Sequence, residues 1–343
     1  MKKIVIHAAG NYDKLKVETA PDLVPGPGEV VVEVSAAGVN YADVIVRWGL
    51  YESAKKMVGW PITPGFEFAG RVSRLGAGVE GLEIGQKVLG VSLFNAYASQ
   101  VKVVPEQLFP LPGEWSFEQG AAFPAVYLTA YHGLFQNIVL RKGARVLVHS
   151  AAGGVGGALL QLCRIAGLET IGVVGAAHKV ESARSLGATH VVDKSSQDLW
   201  REVERLWPKG CDAVFDANGP STLRDSYAHL APVGKLVCYG FHSMMPKQGG
   251  RVQWVKLARD YLRTPRFNPL DMTNTNRSVV AFNLSFLFEF KYLLTEGMQT
   301  MLPWVTDGTL VCPPVQAFPM ERVADAHAAI ESGRTVGKLV LTF

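Results

Sequence analysis

Val146-Leu147-Val148-His149-Ser150-Ala151-Ala152-Gly153-Gly154-Val155-Gly156-Gly157-Ala158-Leu159-Leu160-Gln161-Leu162-Cys163 reads as a buried strand, a glycine-rich turn and the opening of a helix. Val146 to Val148 form a short apolar run, and Leu159, Leu160, Leu162, Cys163, Ile165 and Ala166 recur at helical spacing. Glycines at such a turn let the backbone approach a pyrophosphate, which the N–H groups and positive dipole end of the helix attract. Ala151 stands where the G-x-G-x-x-G fingerprint has its first glycine, so the order of strand, turn and helix carries the reading. Residues 168–175 then supply a second strand and complete a β-α-β unit. The alternative is a glycine turn in an α/β protein that binds nothing.

The end of that second strand selects between cofactors. A dinucleotide fold that prefers NAD places Asp or Glu about 20 residues past the fingerprint, where it accepts from the ribose 2′-hydroxyl. This chain has Gly175-Ala176-Ala177-His178-Lys179 instead. No carboxylate repels a 2′-phosphate there, and Lys179, with Lys194 beyond a third strand at 190–193, can neutralise one. The segment predicts NADPH over NADH. Lys179 also reads as an ordinary solvated residue in the first turn of a helix over 179–186.

A chain of 343 residues is too long for one ordinary core and predicts two domains. A hydrophobic fraction of 48% beside 19% charged residues is that of a globular protein. The net charge of +4 is spread along the chain without a basic block, which argues against a nucleic-acid partner. Cys163, Cys211, Cys238 and Cys312 lie far apart in or beside apolar segments, a pattern of neither metal nor disulfide, and predict reduced thiols in a cytoplasm. The apolar stretch after Met1-Lys2-Lys3 is too short for a signal peptide. Residues 279–290, the most apolar later stretch, fall short of the roughly 20 a spanning helix needs.

Before residue 125 the chain is rich in Val, Gly and Pro, with strands expected at 29–34, 68–72 and 87–91, which suggests a β-rich, barrel-like domain. A helix over 126–135 opens a run of alternating strands and helices through 213–216 and 235–240, the pattern of a parallel sheet. After Gln248 the chain reads as irregular, then as an apolar helix over 282–295, a second helix over 320–332 and a last strand over 338–341. The expected division is α/β: residues 1–125 completed by 266–343 as one domain, and 126–265 as the nucleotide-binding one.

Ala36-Ala37-Gly38-Val39-Asn40-Tyr41-Ala42-Asp43, Gly49-Leu50-Tyr51, Pro64-Gly65-Phe66-Glu67-Phe68-Ala69-Gly70, Gly85-Gln86-Lys87-Val88, the glycine turn from His149 and the closing Gly337-Lys338-Leu339-Val340-Leu341 resemble the medium-chain dehydrogenase/reductase superfamily, in its zinc-independent quinone oxidoreductase (zeta-crystallin-like) branch. Residues 277–284 resemble the vesicle amine transport protein group within that branch. The resemblance implies a GroES-like β-barrel catalytic domain, a Rossmann domain with a doubly wound parallel sheet, an active site in the cleft, NADPH as hydride donor and a homodimer. Zinc-dependent relatives carry Cys at the position of Asn40 and His at that of Phe66, and residues 80–120 hold no cysteine for a structural zinc. Asparagine and phenylalanine do not replace thiolate and imidazole ligands. A reaction without a Lewis-acid metal favours activated acceptors, quinones or α,β-unsaturated carbonyls, over alcohols and aldehydes.

Hydride transfer needs the two carbons held close and the developing enolate stabilised. Asn40 is the candidate to orient the nicotinamide ribose or the substrate oxygen. Tyr51 stands where similar enoyl reductases use a tyrosine as proton donor, Tyr41 is a second choice, and water is a third. The plain alternatives are a turn asparagine and interface tyrosines. For the cofactor, the resemblance adds Thr129 and Asn218 to the turn residues Ala152, Gly153, Gly154, Val155 and Gly156 and to Gly175, Lys179 and Lys194. It places Gly240-Phe241 and Phe282-Asn283 over the nicotinamide and Lys338 near the cleft. His132, His149 and His242 read as core or surface histidines. Two functions stay open: an NADPH-dependent reductase of quinones or enones, or an NADPH-binding protein with little turnover that acts by binding lipid, RNA or protein. An exposed apolar segment at 282–290 would favour the second.

Overall fold

The computed structural model describes residues 1–246 and 252–343. In chain order the strands are β1 (Lys2–Val5), β2 (Lys16–Thr19), β3 (Val30–Val39), β4 (Glu67–Leu75), β5 (Lys87–Val91), β6 (Gln100–Val103), β7 (Leu108–Pro110), β8 (Arg145–Val148), β9 (Glu169–Val174), β10 (His190–Asp193), β11 (Cys211–Asp216), β12 (Leu230–Cys238), β13 (Ser278–Ala281), β14 (Val315–Pro319) and β15 (Lys338–Thr342). They fall into two compact units, Met1–Leu128 with Leu284–Phe343, and Thr129–Pro246 with Val252–Asn283.

The first unit holds a sheet of order β14-β15-β3-β4-β5-β7, with β6 also on β3, and a separate β1-β2 pair. All of these pairs are antiparallel except β14 with β15. β3 and β4 shift register twice, and at the crossing a Cβ on Gly70 would lie 2.0 Å from the Glu33 carbonyl oxygen, so only glycine lets the strands approach. Valines, phenylalanines and leucines from β3, β4, β5, β6 and β15 form the core, among them Val30, Val32, Phe68, Val88, Val101 and Leu339. The C-terminal strand β15 thereby completes the N-terminal, GroES-like unit.

Arg47 closes this unit. It is fully buried at the end of the helix Tyr41–Arg47, 2.5 Å from Glu331 on the helix Val323–Glu331. Its Nη1 donates to His327 Nδ1 at 3.1 Å, and Tyr12 donates to the other Glu331 oxygen at 2.8 Å. Burial, and then the Arg47 charge, hold His327 well below the ordinary histidine range, so it is neutral and can accept. Partners from both ends of the chain thus fix the helix that begins at Asn40.

The second unit is a six-stranded parallel sheet of order β10-β9-β8-β11-β12-β13. Renumbered within the unit this is 3-2-1-4-5-6, the doubly wound Rossmann order. Leu147, Ile171, Val173, Val192, Val214 and Leu236 fill its core. The order reverses between β8 and β11, and the carboxyl ends of those strands are where such sheets bind ligands.

Several expectations need correction. Residues 266–283, expected with the first domain, pack in the second unit because β13 pairs with β12. The helix expected over 282–295 is three elements: an extended end after β13, a 3-10 helix Leu284–Glu289 and a helix Lys291–Thr306. The stretch after Gln248 begins outside the described residues, but from Trp254 it is helical, as Trp254–Arg263 and Pro269–Thr275. The helix Pro124–Tyr131 continues as a π-helical turn His132–Gln136.

Candidate active site

Asn40 sits at the end of β3, where extended backbone turns into the helix Tyr41–Arg47, and its N–H donates to Asp43 Oδ2 at 2.8 Å. Asp43 also accepts from Gly65 N–H at 2.8 Å and from the Tyr97 hydroxyl at 3.1 Å, and burial pushes its carboxyl up to about 7 despite these donors. The Asn40 side chain is held from both sides. Nδ2 donates to Glu67 Oε1 at 2.8 Å, and Oδ1 accepts from Lys338 Nζ at 2.6 Å. An amide flip would point NH2 at an ammonium, so the partners dictate its orientation. The second N–H of Nδ2 has no protein partner among the described residues.

Glu67 and Lys338 are almost wholly buried and lie 2.6 Å apart. Glu67 Oε2 accepts from the Ala125 N–H at 2.7 Å, and Lys338 also donates to the Val39 carbonyl at 2.9 Å. Gly38 makes the approach possible, since a Cβ there would stand 2.3 Å from Glu67 Oε1 and 2.4 Å from the Ala121 carbonyl. Lys338, expected near the cleft, lies in the first unit with its ammonium on Asn40 and Glu67. Glu67 and its ion pair were missed as functional candidates.

Tyr51 begins the helix Glu52–Met57, half-buried, with its ring edge-on to Phe66 at 5.8 Å and to Phe94 at 6.4 Å. Its hydroxyl shares a 2.7 Å hydrogen bond with buried Ser285. Phe66 therefore supports the tyrosine. Tyr41 directly follows Asn40, facing the Glu331 and Arg47 charges, and burial pushes its hydroxyl up to about 12. Of the segment 282–290, Phe286 and Phe290 are exposed while Ser285 and Phe288 are buried. It is partly a surface and partly a wall behind Tyr51.

In the second unit the glycine turn forms as expected. Ser150 adopts a left-handed conformation (φ 55°), and Gly153 caps the helix Gly154–Ile165 with no side chain on its first N–H groups. A Cβ on Gly156 would fall 2.3 Å from the Ser150 carbonyl oxygen, whereas one on Gly153 would meet nothing nearer than 3.2 Å. Gly156 serves packing of helix on strand; Gly153 leaves the turn open. With Ala152 and Val155 these residues ring the helix N-terminus.

Asp216, at the end of β11, shapes the neighbouring loop by accepting from the N–H groups of Asn218 at 2.8 Å and Gly219 at 3.2 Å and from Thr222 and Ser226 hydroxyls at 2.7 and 2.9 Å. Ser226 Oγ in turn lies 3.0 Å from Nε2 of His149, whose pKa burial lowers to about 4. Since Ser226 gives its proton to Asp216, His149 carries its proton on Nε2. This is a core histidine that orders the loop. Ser150 Oγ donates to Asn218 Oδ1 at 3.3 Å, and Asn218 Nδ2 is buried without a partner among the described residues. The backbone after β12 is stitched to the same loop by His242 N–H on the Ala217 carbonyl and Ser243 N–H on that of Asn218. A Cβ on Gly219 would lie 2.8 Å from Phe241 and one on Gly240 2.9 Å from the Ala217 carbonyl. Asn218, Gly240 and Phe241 thus come together with Ser150 at the carboxyl ends of β8, β11 and β12.

Lys194 N–H donates to the Val174 carbonyl at 3.0 Å, and a Cβ on Gly175 would face Lys194 Cε at 3.7 Å. Lys194 is exposed; Lys179, in a 3-10 turn, is half-buried, which lowers its ammonium pKa. Asp193, the nearby acid, accepts from the backbone N–H and hydroxyl of Ser195 at 2.9 and 2.7 Å. Phe282 packs edge-on against His132 at 4.8 Å, beside half-buried Asn283. Thr129 is half-buried, one turn ahead of His132.

An open glycine turn, an orphaned amide at its side and lysines at the second strand end fit a 2′-phosphorylated dinucleotide. A zinc ion does not fit. Asn40 and Phe66 offer no thiolate or imidazole, the Lys338 ammonium already faces Glu67, and among the described residues no group of three or more His, Cys, Asp or Glu could hold a metal.

Two family models match, "Alcohol dehydrogenase GroES-like domain" over residues 26–151 and "Zinc-binding dehydrogenase" over 186–341. The rat synaptic vesicle membrane protein VAT-1 homolog is 34% identical over 343 residues, covering 99% of this chain and 84% of the relative. The chain belongs to the medium-chain dehydrogenase/reductase superfamily. Among solved structures of that superfamily's fold, Escherichia coli quinone oxidoreductase complexed with NADPH matches with TM-score 0.87 and 27% identity over 100% of both chains. CurK enoyl reductase matches with TM-score 0.85 and 26% identity over 99% of this chain and 98% of that one.

Proposed function

We propose that this medium-chain dehydrogenase/reductase reduces quinones or α,β-unsaturated carbonyls at the expense of NADPH, without zinc. The observation that carries the reading is the Asn40–Lys338–Glu67 arrangement: a carboxamide of dictated orientation, backed by an ammonium, where zinc-dependent relatives have a ligand. The likeness to a quinone oxidoreductase complexed with NADPH and to an enoyl reductase supports it. The dimer and the cytoplasmic site of action implied by the sequence belong to the same proposal.

Ala152 to Gly156, Gly175, Lys179, Lys194, Asn218, Gly240, Phe241, Phe282, Asn283 and Thr129 would hold NADPH, which supplies the hydride when bound. Asn40 retains one N–H to donate to an oxygen of cofactor or acceptor. Tyr51 holds the proton an enolate needs at its hydroxyl oxygen, with Ser285 to share it; a reduced quinone can take its proton from water. The other reading, a nucleotide-binding protein with little turnover that acts by binding lipid, RNA or protein, is favoured by the exposed Phe286 and Phe290 of the 282–290 segment and by the exposed apolar side chains of the helix Trp254–Arg263.

Fluorescence titration tests the cofactor. Wild type should bind NADPH more tightly than NADH, and Lys179→Ala should weaken NADPH alone by about 1.5–3 kcal/mol, the worth of a charge-assisted contact; equal affinities would remove the basis for choosing NADPH. Elemental analysis of the purified protein should find no stoichiometric zinc, and one zinc per chain would show the Asn40 site misjudged.

A further inference from the structure

Two phenylalanines pack against the Tyr51 ring, and the backbone bends unusually to place one of them. Phe94 and Asn95 are both left-handed, with φ of 66° and 67°. Asparagine tolerates that region, but a bulky phenylalanine rarely enters it and persists there only where surrounding contacts over-determine the backbone. They do so here. Ser92 Oγ donates to the Phe94 carbonyl at 2.7 Å inside the bend. On either side the backbone is laced to the segment that carries Phe66: Ser92 N–H donates to the Phe66 carbonyl at 3.0 Å, Asn95 N–H to that of Thr63 at 2.9 Å, and Tyr97 N–H to that of Pro64 at 2.9 Å. The product of the bend is a fully buried Phe94 ring, 5.1 Å from that of Phe66 and 6.4 Å from that of Tyr51.

We propose that Phe94 is a positioning residue for the Tyr51 hydroxyl, and thereby for protonation of a reduced enone. The inference rests on the reading of Tyr51 as proton donor and adds what holds the donor in place. The enolate left by hydride addition takes the Tyr51 O–H proton, and the phenolate regains one from water. Tyr51 precedes a helix of only 6 residues, so the direction of its side chain is set by what packs against it. Phe66 and Phe94 hold the ring, and Ser285 holds the hydroxyl. The same bend also reaches Asn40, because the Tyr97 hydroxyl donates to Asp43, which accepts from the Asn40 N–H. The Asn40 side chain has Glu67 and Lys338 besides, so loss of the Phe94 ring frees Tyr51 and leaves the carboxamide in place.

Steady-state NADPH oxidation with cyclohexenone and with menadione, in wild type, Tyr51→Phe, Phe94→Leu and the double variant, tests the proposal. A misplacement of about 1 Å can cost a reacting group on the order of 10²-fold, so Phe94→Leu should lower enone kcat roughly 10-fold or more with KM within about 2-fold. Menadione turnover should be spared, since the reduced quinone takes its protons from water. In the Tyr51→Phe background Phe94→Leu should lower enone turnover no further. An equal loss with both acceptors, or a further loss in the double variant, overturns the proposal and leaves Phe94 a core residue. So does wild-type enone kcat in Phe94→Leu where Tyr51→Phe is impaired. Absence of enone turnover in wild type, or wild-type enone kcat in Tyr51→Phe, instead removes the reading of Tyr51 and the proposal with it. Should Phe94→Leu fail to fold, Ser92→Ala, which loosens the bend but keeps the ring, carries the same comparison with a smaller selective loss expected.

Discussion

Replacing Lys338 by methionine is expected to destabilise the protein by about 3–5 kcal/mol, because it strands the buried Glu67 carboxylate without its cation. Glu67 is fully buried, and Lys338 is the cation 2.6 Å from it. The Ala125 N–H and the Asn40 amide remain as donors, but neither carries charge. Adding Glu67→Gln should recover most of the loss by removing the buried charge. Chemical unfolding of the two variants measures this; a loss below about 1 kcal/mol in the single variant would mean that water or a proton already satisfies Glu67.

Asn40→Ala should lower NADPH-dependent turnover by roughly 10²-fold or more, the worth of a donor preorganised at a reacting centre. The effect is expected in kcat, since the carboxamide is oriented before substrate arrives by Glu67 and Lys338. In the same assay Tyr51→Phe should lower enone turnover while sparing a quinone whose product is protonated by water. Wild-type rates in Asn40→Ala would leave Asn40 as a turn residue whose amide serves only the Glu67–Lys338 pair.

Local patterns told most of the fold. β5 and β10 fall on the residues their alternation and apolar runs predict, and the glycine turn lies between β8 and its helix. The C-terminal third was harder because its rules conflict. Residues 282–295 have helical apolar spacing, but Phe282 extends from β13, and the 3-10 helix Leu284–Glu289 ends before Lys291. The helices at 254–275 escaped notice because prolines at 265 and 269 interrupt them and their apolar residues face water rather than a core. The site was legible in its parts. Asn40, Tyr51 and the missing metal ligands could be named, but Lys338 meets Asn40 across 298 positions of chain, and no spacing rule connects them. The Asp216 network around Asn218 is likewise invisible to pattern, since Thr222 and Ser226 gain their roles only once the loop has turned.

The most direct test follows NADPH absorbance in wild type with a quinone and with a small enone, beside a control without acceptor. Oxidation accelerated by at least one acceptor, and abolished or strongly reduced in Asn40→Ala, is the result the account predicts. Tight NADPH binding with no oxidation above the control for any acceptor would contradict it and leave the chain a nucleotide-binding protein.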